Sequence, residues 1–142
     1  MRAVIDTNVV FEGLTTQGGA SRLVIEAWLA GLFEPSVSSA LAYEYWSVLT
    51  RNLSSTRMFR IEKVLTELLD RAYETEIYFR WRPSSRDPGD DFVIDCALNA
   101  NAVLVTWNQK DFRQAQAELG LEVLSPIDFL KRFDETQSRR LS

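Results

Sequence analysis

Apolar positions fall into short unbroken runs and helical stripes that alternate along the whole chain. Ala3-Val4-Ile5 is continuous and is halted by Asp6-Thr7-Asn8, as expected of a short strand covered on both faces whose carboxyl end delivers polar side chains. Val103-Leu104-Val105 repeats the device and ends in Thr106-Trp107-Asn108. Between them, residues 15–19 read as a loop, and Leu23, Val24, Ala27 and Trp28 recur at helical spacing until Gly31 supplies a stop. Residues 33–37 are expected to form a second strand. Ser38 or Ser39 then caps a helix bearing Leu41, Tyr45, Val48 and Leu49, and a further stripe of Ile61, Val64, Leu65, Leu68 and Leu69 completes a helical hairpin. Aromatic and β-branched residues at 76–81 predict another strand, broken by 83–89. Asp90-Asp91 opens a helix to about residue 101, with acids in the first turn where the helix dipole favours them. Residues 111–119 are expected to be helical, Gly120 a stop, 121–124 a last strand, and 126–133 a last helix with Pro126 near its start. Strands alternating with helices predict an α/β fold, a three-layer sandwich with a mostly parallel sheet of four or five strands. Ligands of such sheets sit beyond the carboxyl ends of the strands, near the switch in strand order, where Asp6 and Asn108 are expected.

Composition narrows the chemistry. At 142 residues with 46% apolar side chains, the chain has the size of one domain with its own core. It has no histidine, which removes the usual general base, the triad imidazole and the commonest transition-metal ligand. Its single cysteine, Cys96, excludes an internal disulfide and cysteine-rich zinc sites. Twenty acidic residues against 16 basic ones give a net charge of −4, which speaks against broad coating of nucleic acid. The first apolar run spans three residues, far short of a signal-peptide core or a membrane span, so a cytoplasmic protein is expected.

Oxygen-ligand chemistry remains. Asp6 ends the first strand, and Glu44 shares its helix's apolar stripe, lying three residues after Leu41 and four before Val48. Asp87, Asp90, Asp91 and Asp95 cluster around a helix start, and Asn108 and Asp111 follow the Val105 strand. Carboxylates brought to about 4 Å repel by about 4 kcal/mol at an effective dielectric near 20, so a convergence of these acids calls for a cation. Oxygen donors alone select Mg²⁺ or Mn²⁺, whose bound waters serve as nucleophiles in phosphodiester hydrolysis without any imidazole.

These residues and their order resemble the PIN domain family, small metal-dependent nucleases that include the VapC-type toxins of toxin–antitoxin pairs. The resemblance spans residues 1–133 and leaves 134–142 as a polar tail. It is carried by Val4-Ile5-Asp6-Thr7-Asn8-Val9-Val10, by Gly18-Gly19 leading to Ser21-Arg22-Leu23, and by the segment 38–49 around Glu44. Arg86-Asp87-Pro88-Gly89-Asp90-Asp91 and Leu104-Val105-Thr106-Trp107-Asn108-Gln109-Lys110-Asp111-Phe112 complete it. The resemblance implies an Mg²⁺- or Mn²⁺-dependent endoribonuclease with Asp6, Glu44, Asp90 and Asp111 as catalytic acids and Asp6, Glu44, Asp90 and Asn108 around the metal. Asn8, Thr106, Asp91 and Asp95 are supporting residues, and Asp91 with Asp95 is a substitute pair for Asp90. Asn108 stands where many relatives carry Asp, a departure that bears on a second ion rather than the first. The implied partners are an RNA substrate, a cognate antitoxin and a second copy of the chain. Arg51, Arg57, Arg60, Lys63, Arg80, Arg82 and Arg86 are candidate phosphate contacts, and Trp107 a candidate base contact.

Two other functions fit parts of the pattern. A haloacid-dehalogenase-like phosphohydrolase also places an acid after an apolar strand and uses a Gly-Asp-Asp stretch such as Gly89-Asp90-Asp91, but it needs an acid two residues past the nucleophile, where Asn8 stands. A non-catalytic PIN-like module binding RNA or protein is compatible with Asn108.

Overall fold

Ala3, Val4 and Ile5 are all essentially inaccessible, which makes β1 (Arg2–Ile5) the centre of the sheet. The computed structural model describes residues 1–80 and 88–141, the side chains of 88–90 and 135–141 excepted. After β1 come α1 (Thr7–Thr15), α2 (Ala20–Leu29), β2 (Glu34–Val37), α3 (Ser39–Asn52), α4 (Ser55–Arg71) and β3 (Tyr73–Glu74). Next are α5 (Pro88–Ala100), β4 (Val103–Val105), a 3₁₀ turn (Gln109–Phe112), α6 (Arg113–Leu119), β5 (Val123–Leu124) and α7 (Pro126–Leu141).

Five strands lie in the order β3-β2-β1-β4-β5, and every pairing is parallel. The expected α/β architecture is therefore present, with helices flanking the sheet. The continuous apolar runs at β1 and β4 follow from burial on both faces. The chain winds outward from β1 to β2 and β3, then returns to β4 on the other side of β1, so the switch in strand order falls between β1 and β4. Asp6 and Thr106 immediately follow those two strands, at the edge where such sheets hold ligands.

Local signals set the helix starts. Ser38 Oγ accepts the Leu41 N–H at 3.2 Å and Ser54 Oγ that of Arg57, each filling an amide that the first turn leaves unpaired. Gly120, at φ 69°, ends α6 in the left-handed region. Trp28, buried in α2, donates its indole N–H to the Leu68 carbonyl of α4 at 2.9 Å and meets Phe33 edge-on, which in turn packs against Phe129 of α7.

Three elements differ from the sequence expectation. The strand expected at 76–81 forms instead at Tyr73–Glu74, paired with Ser36 and Val37. The backbone of Tyr78 and Phe79 is bonded by the Asn99 side-chain amide of α5, which takes the place of a strand neighbour; Trp81 lies outside the described residues. A helix, α1, occupies 7–15, where the polar triplet after β1 reads only as a strand end. The last helix runs past Phe133 to Leu141, because the stretch expected as a tail contains no Gly or Pro to stop it and is rich in good helix formers.

Candidate active site

Asp6 is buried at the end of β1, where its side chain caps α1: Oδ1 accepts the Thr7 N–H at 2.8 Å. Its backbone N–H is bonded to the Val105 carbonyl at 2.9 Å, which locks the end of β1 to β4. Oδ2 accepts the Thr106 hydroxyl at 2.7 Å. Thr106, wholly inaccessible, is a node: the same oxygen accepts the Asn108 N–H at 3.0 Å and Asn8 Nδ2 at 3.4 Å. One hydroxyl thus fixes the orientation of the acid after β1 and the course of the chain after β4.

Glu44 approaches from α3. It is half-buried and, with Asp6, Thr7, Asn8 and Asn108, lines a cleft of about 530 Å³ that continues along α1 and α3 past Phe11, Glu12, Val48 and Asn52. Its neighbour Tyr45 supplies the link between the elements. The Tyr45 hydroxyl is buried and donates to the Ile5 carbonyl at 2.5 Å. The β1–β2 register runs only through Ala3 and Pro35, so Ile5 lies beyond those paired positions and its carbonyl takes a side-chain donor. Burial, followed by the negative potential of Cys96, Asp6 and Glu44, pushes the Tyr45 hydroxyl well above its ordinary pKa and keeps it a donor. Tyr45 therefore ties the helix carrying Glu44 to the strand carrying Asp6.

The other expected site residues divide. Asn108 is exposed at the rim, within the cleft lining. Asp111 is exposed on the 3₁₀ turn, where its N–H bonds the Asn108 carbonyl at 3.0 Å, and it does not line the cleft. Asp90 lies in the first turn of α5, and its side chain is outside the described residues. Asp91 and Asp95 are both buried on α5, and neither is among the cleft-lining residues. Asp95 instead borders a separate small recess with Ser38, Ala40, Ile77, Arg80 and Phe92. Arg51, Arg57, Arg60 and Lys63 are exposed on the α3–α4 hairpin and are not among the cleft-lining residues, and Arg82, Arg86 and Asp87 lie outside the described residues.

Among the described residues, no three Asp, Glu or Cys side chains come together in a geometry able to hold an ion. The described lining of the cleft holds three carboxylates, Asp6, Glu12 and Glu44, and three side-chain amides, Asn8, Asn52 and Asn108. An all-oxygen set without imidazole or thiolate fits a hard cation such as Mg²⁺ or Mn²⁺. The wall formed by Asn8, Glu12 and Thr15 follows helical spacing, a signal present in the sequence once residues 7–15 are seen as a helix. Glu44, Val48 and Asn52, four residues apart along α3, form the facing wall by the same rule.

The family model of the PIN domain matches residues 2–110. Among solved structures, the fold is similar to VapBC2 from Rickettsia felis bound to a DNA fragment from its promoter, at 15% identity and TM-score 0.62, covering 88% of this chain and 98% of that one. FitAcB from Neisseria gonorrhoeae is similar at 16% identity and TM-score 0.62, covering 87% and 97%. VapBC-1 from nontypeable Haemophilus influenzae is similar at 15% identity and TM-score 0.59, covering 89% and 99%. At these identities the likeness is one of fold. No curated protein matches the chain.

Proposed function

The chain belongs to the PIN domain family, and on that footing we propose that it is a metal-dependent endoribonuclease, the toxin of a toxin–antitoxin pair. The observation that carries the reading is the convergence of Asp6 and Glu44 on one cleft at the carboxyl edge of β1, with Asp6 held in a single orientation by Thr7 and Thr106. Asp6, Glu44 and Asp90 hold the ion, and Asn108 at the rim adds a neutral oxygen. A Mg²⁺ or Mn²⁺ ion bound there supplies a water of lowered pKa and neutralises charge on the scissile phosphate. Thr106 keeps the Asp6 carboxylate turned toward the cleft, and Tyr45 holds the Glu44 helix at its distance from the end of β1. With no histidine in the chain, proton movements at the site run through carboxylates and water. The neutral Asn108 favours one ion over two.

A cognate antitoxin belongs to the same proposal, supported by the likeness of fold to VapBC2, FitAcB and VapBC-1, and a homodimeric state is part of it as what the family resemblance implies. Membership of the PIN family favours this reading over a phosphohydrolase. No helix among the described residues is long and apolar enough to cross a membrane. The test is cleavage of single-stranded and structured RNA by the purified protein. Cleavage is expected only with Mg²⁺ or Mn²⁺ and is abolished by Asp6→Asn. RNA left intact across several substrates and both ions overturns the reading.

A further inference from the structure

We propose that Trp107, which adjoins the cleft-lining Asn108 without itself lining the cleft, is a stacking platform for a base of single-stranded RNA beside the cleft, an inference that rests on the ribonuclease reading for its substrate. Trp107 stands between Thr106, bonded to Asp6, and Asn108, which lines the cleft, so its place along the chain is fixed on both sides by the site itself. The residue as a whole is 37% exposed. The indole N–H donates to Ser21 Oγ at 2.8 Å, and the backbone N–H points to Asn8 Oδ1 at 3.5 Å.

Ser21 is itself wholly inaccessible, in the first turn of α2. It is brought there by the close approach of α2 to α1 at Gly13, where an added Cβ would stand 2.7 Å from the Ser21 carbonyl oxygen. The anchor of the ring is thus part of the core.

Three consequences follow for a ligand. Tryptophan has one hydrogen-bond donor, and here it is already used inside the protein, so the ring offers an incoming base its face and no reading of base edges. A ring already held by its neighbours loses little further freedom on binding. The described lining of the cleft carries Asp6, Glu12 and Glu44 and no Lys or Arg, so no described side-chain cation of this wall holds RNA by its phosphates. Stacking on a neutral aromatic does so without charge and tolerates any base.

The test uses Glu44→Gln as a cleavage-silent background and a short fluorescein-labelled single-stranded oligoribonucleotide in Mg²⁺. Adding Trp107→Leu weakens binding, read by anisotropy, by about 5- to 140-fold. Trp107→Phe keeps a ring face: it retains most of the affinity but loses the quenching of tryptophan fluorescence that the oligonucleotide produces in the parent. That second variant keeps the test decisive if the leucine variant folds poorly. No binding by the parent, equal binding by the leucine variant, or quenching that persists in the phenylalanine variant overturns the platform. Cleavage by the wild-type protein with undiminished binding by Trp107→Leu refutes the platform and leaves the nuclease. Quenching that depends on Trp107 in a protein that cleaves no RNA refutes the nuclease and leaves the platform.

Discussion

One oxygen atom, Thr106 Oγ1, donates to the buried Asp6 and accepts from the half-buried Asn8 and from Asn108 at the rim. Replacing it with the similarly shaped valine removes the donor to a buried carboxylate and leaves the Asn108 amide without its acceptor. Thr106→Val is therefore expected to cost about 1–3 kcal/mol of folding stability in urea titration and to lower RNA cleavage further than that loss explains, with Thr106→Ser recovering most of both. Stability unchanged by the valine would mean that the node does not hold the acid. Asp6 and Glu44, which both line one cleft, were legible as candidates because each departs from its surroundings, an acid closing an apolar strand and an acid inside an apolar stripe. Tyr45 was not, since a tyrosine on a core stripe looks the same whether its hydroxyl reaches water or a strand carbonyl. Asp111 carried an acid's signal without the placement, because the 3₁₀ turn after Asn108 leaves it exposed beyond the cleft lining.

At the scale of elements, the site depends on how α1, α2 and α3 are set against β1. α1 and α2 pack at Gly13, where an added Cβ would come within 2.4 Å of Ile25 Cγ1 and 2.7 Å of the Ser21 carbonyl, so the helices must separate to admit it. Gly13→Ala is expected to lower stability by about 1–3 kcal/mol despite alanine's better helix propensity, seen as a lower urea midpoint. A midpoint at or above that of the parent would show that the helices have room to give. β1 and β4 were evident from their apolar runs because both faces are covered, and the caps at Ser38 and Gly120 lay where turn chemistry places them. The misplaced strand near 76–81 has a physical cause: β propensity reports fit to a pleated surface, and here the backbone amides are satisfied by the Asn99 side chain. α1 carries an amphipathic pattern, with Val9, Val10 and Leu14 on its buried face and Asn8, Glu12 and Thr15 on the cleft face, but adjacent β-branched Val9 and Val10 and the helix-interior Gly13 weaken its helical signal in the sequence.

For the whole molecule, the net charge of −4 takes on a location. Three acids line the cleft and no Lys or Arg accompanies them in its described lining, while Arg51, Arg57, Arg60 and Lys63 stand exposed on the hairpin. The negative balance that argues against a general RNA coater is thus compatible with a metal-loaded cutter, whose ion cancels part of it. The core also sets an alkaline limit. Burial pushes the Cys96 thiol up from 9.0 to about 11, and Tyr45 is raised as well, so the unfolded chain releases these protons first. Stability is then fully present below about pH 9 and falls as pH rises toward 11, by on the order of 2 kcal/mol for Cys96. The urea midpoint is expected to drop between pH 8 and pH 10.5, and to drop less in Cys96→Ala; an equal drop would remove the thiol from the explanation.

The central claim is that Asp6, Glu44 and Asp90 hold a divalent ion, and its most direct measurement is the thermal shift of the purified protein during titration with Mn²⁺. Site-specific binding stabilises the wild type by about 2.7 kcal/mol at 100 times Kd. The melting temperature of the wild type, and of Asp111→Asn, is expected to rise, while Asp6→Asn, Glu44→Gln and Asp90→Asn show little or no rise. Equal rises in all five proteins, or none in the wild type, would contradict the claim.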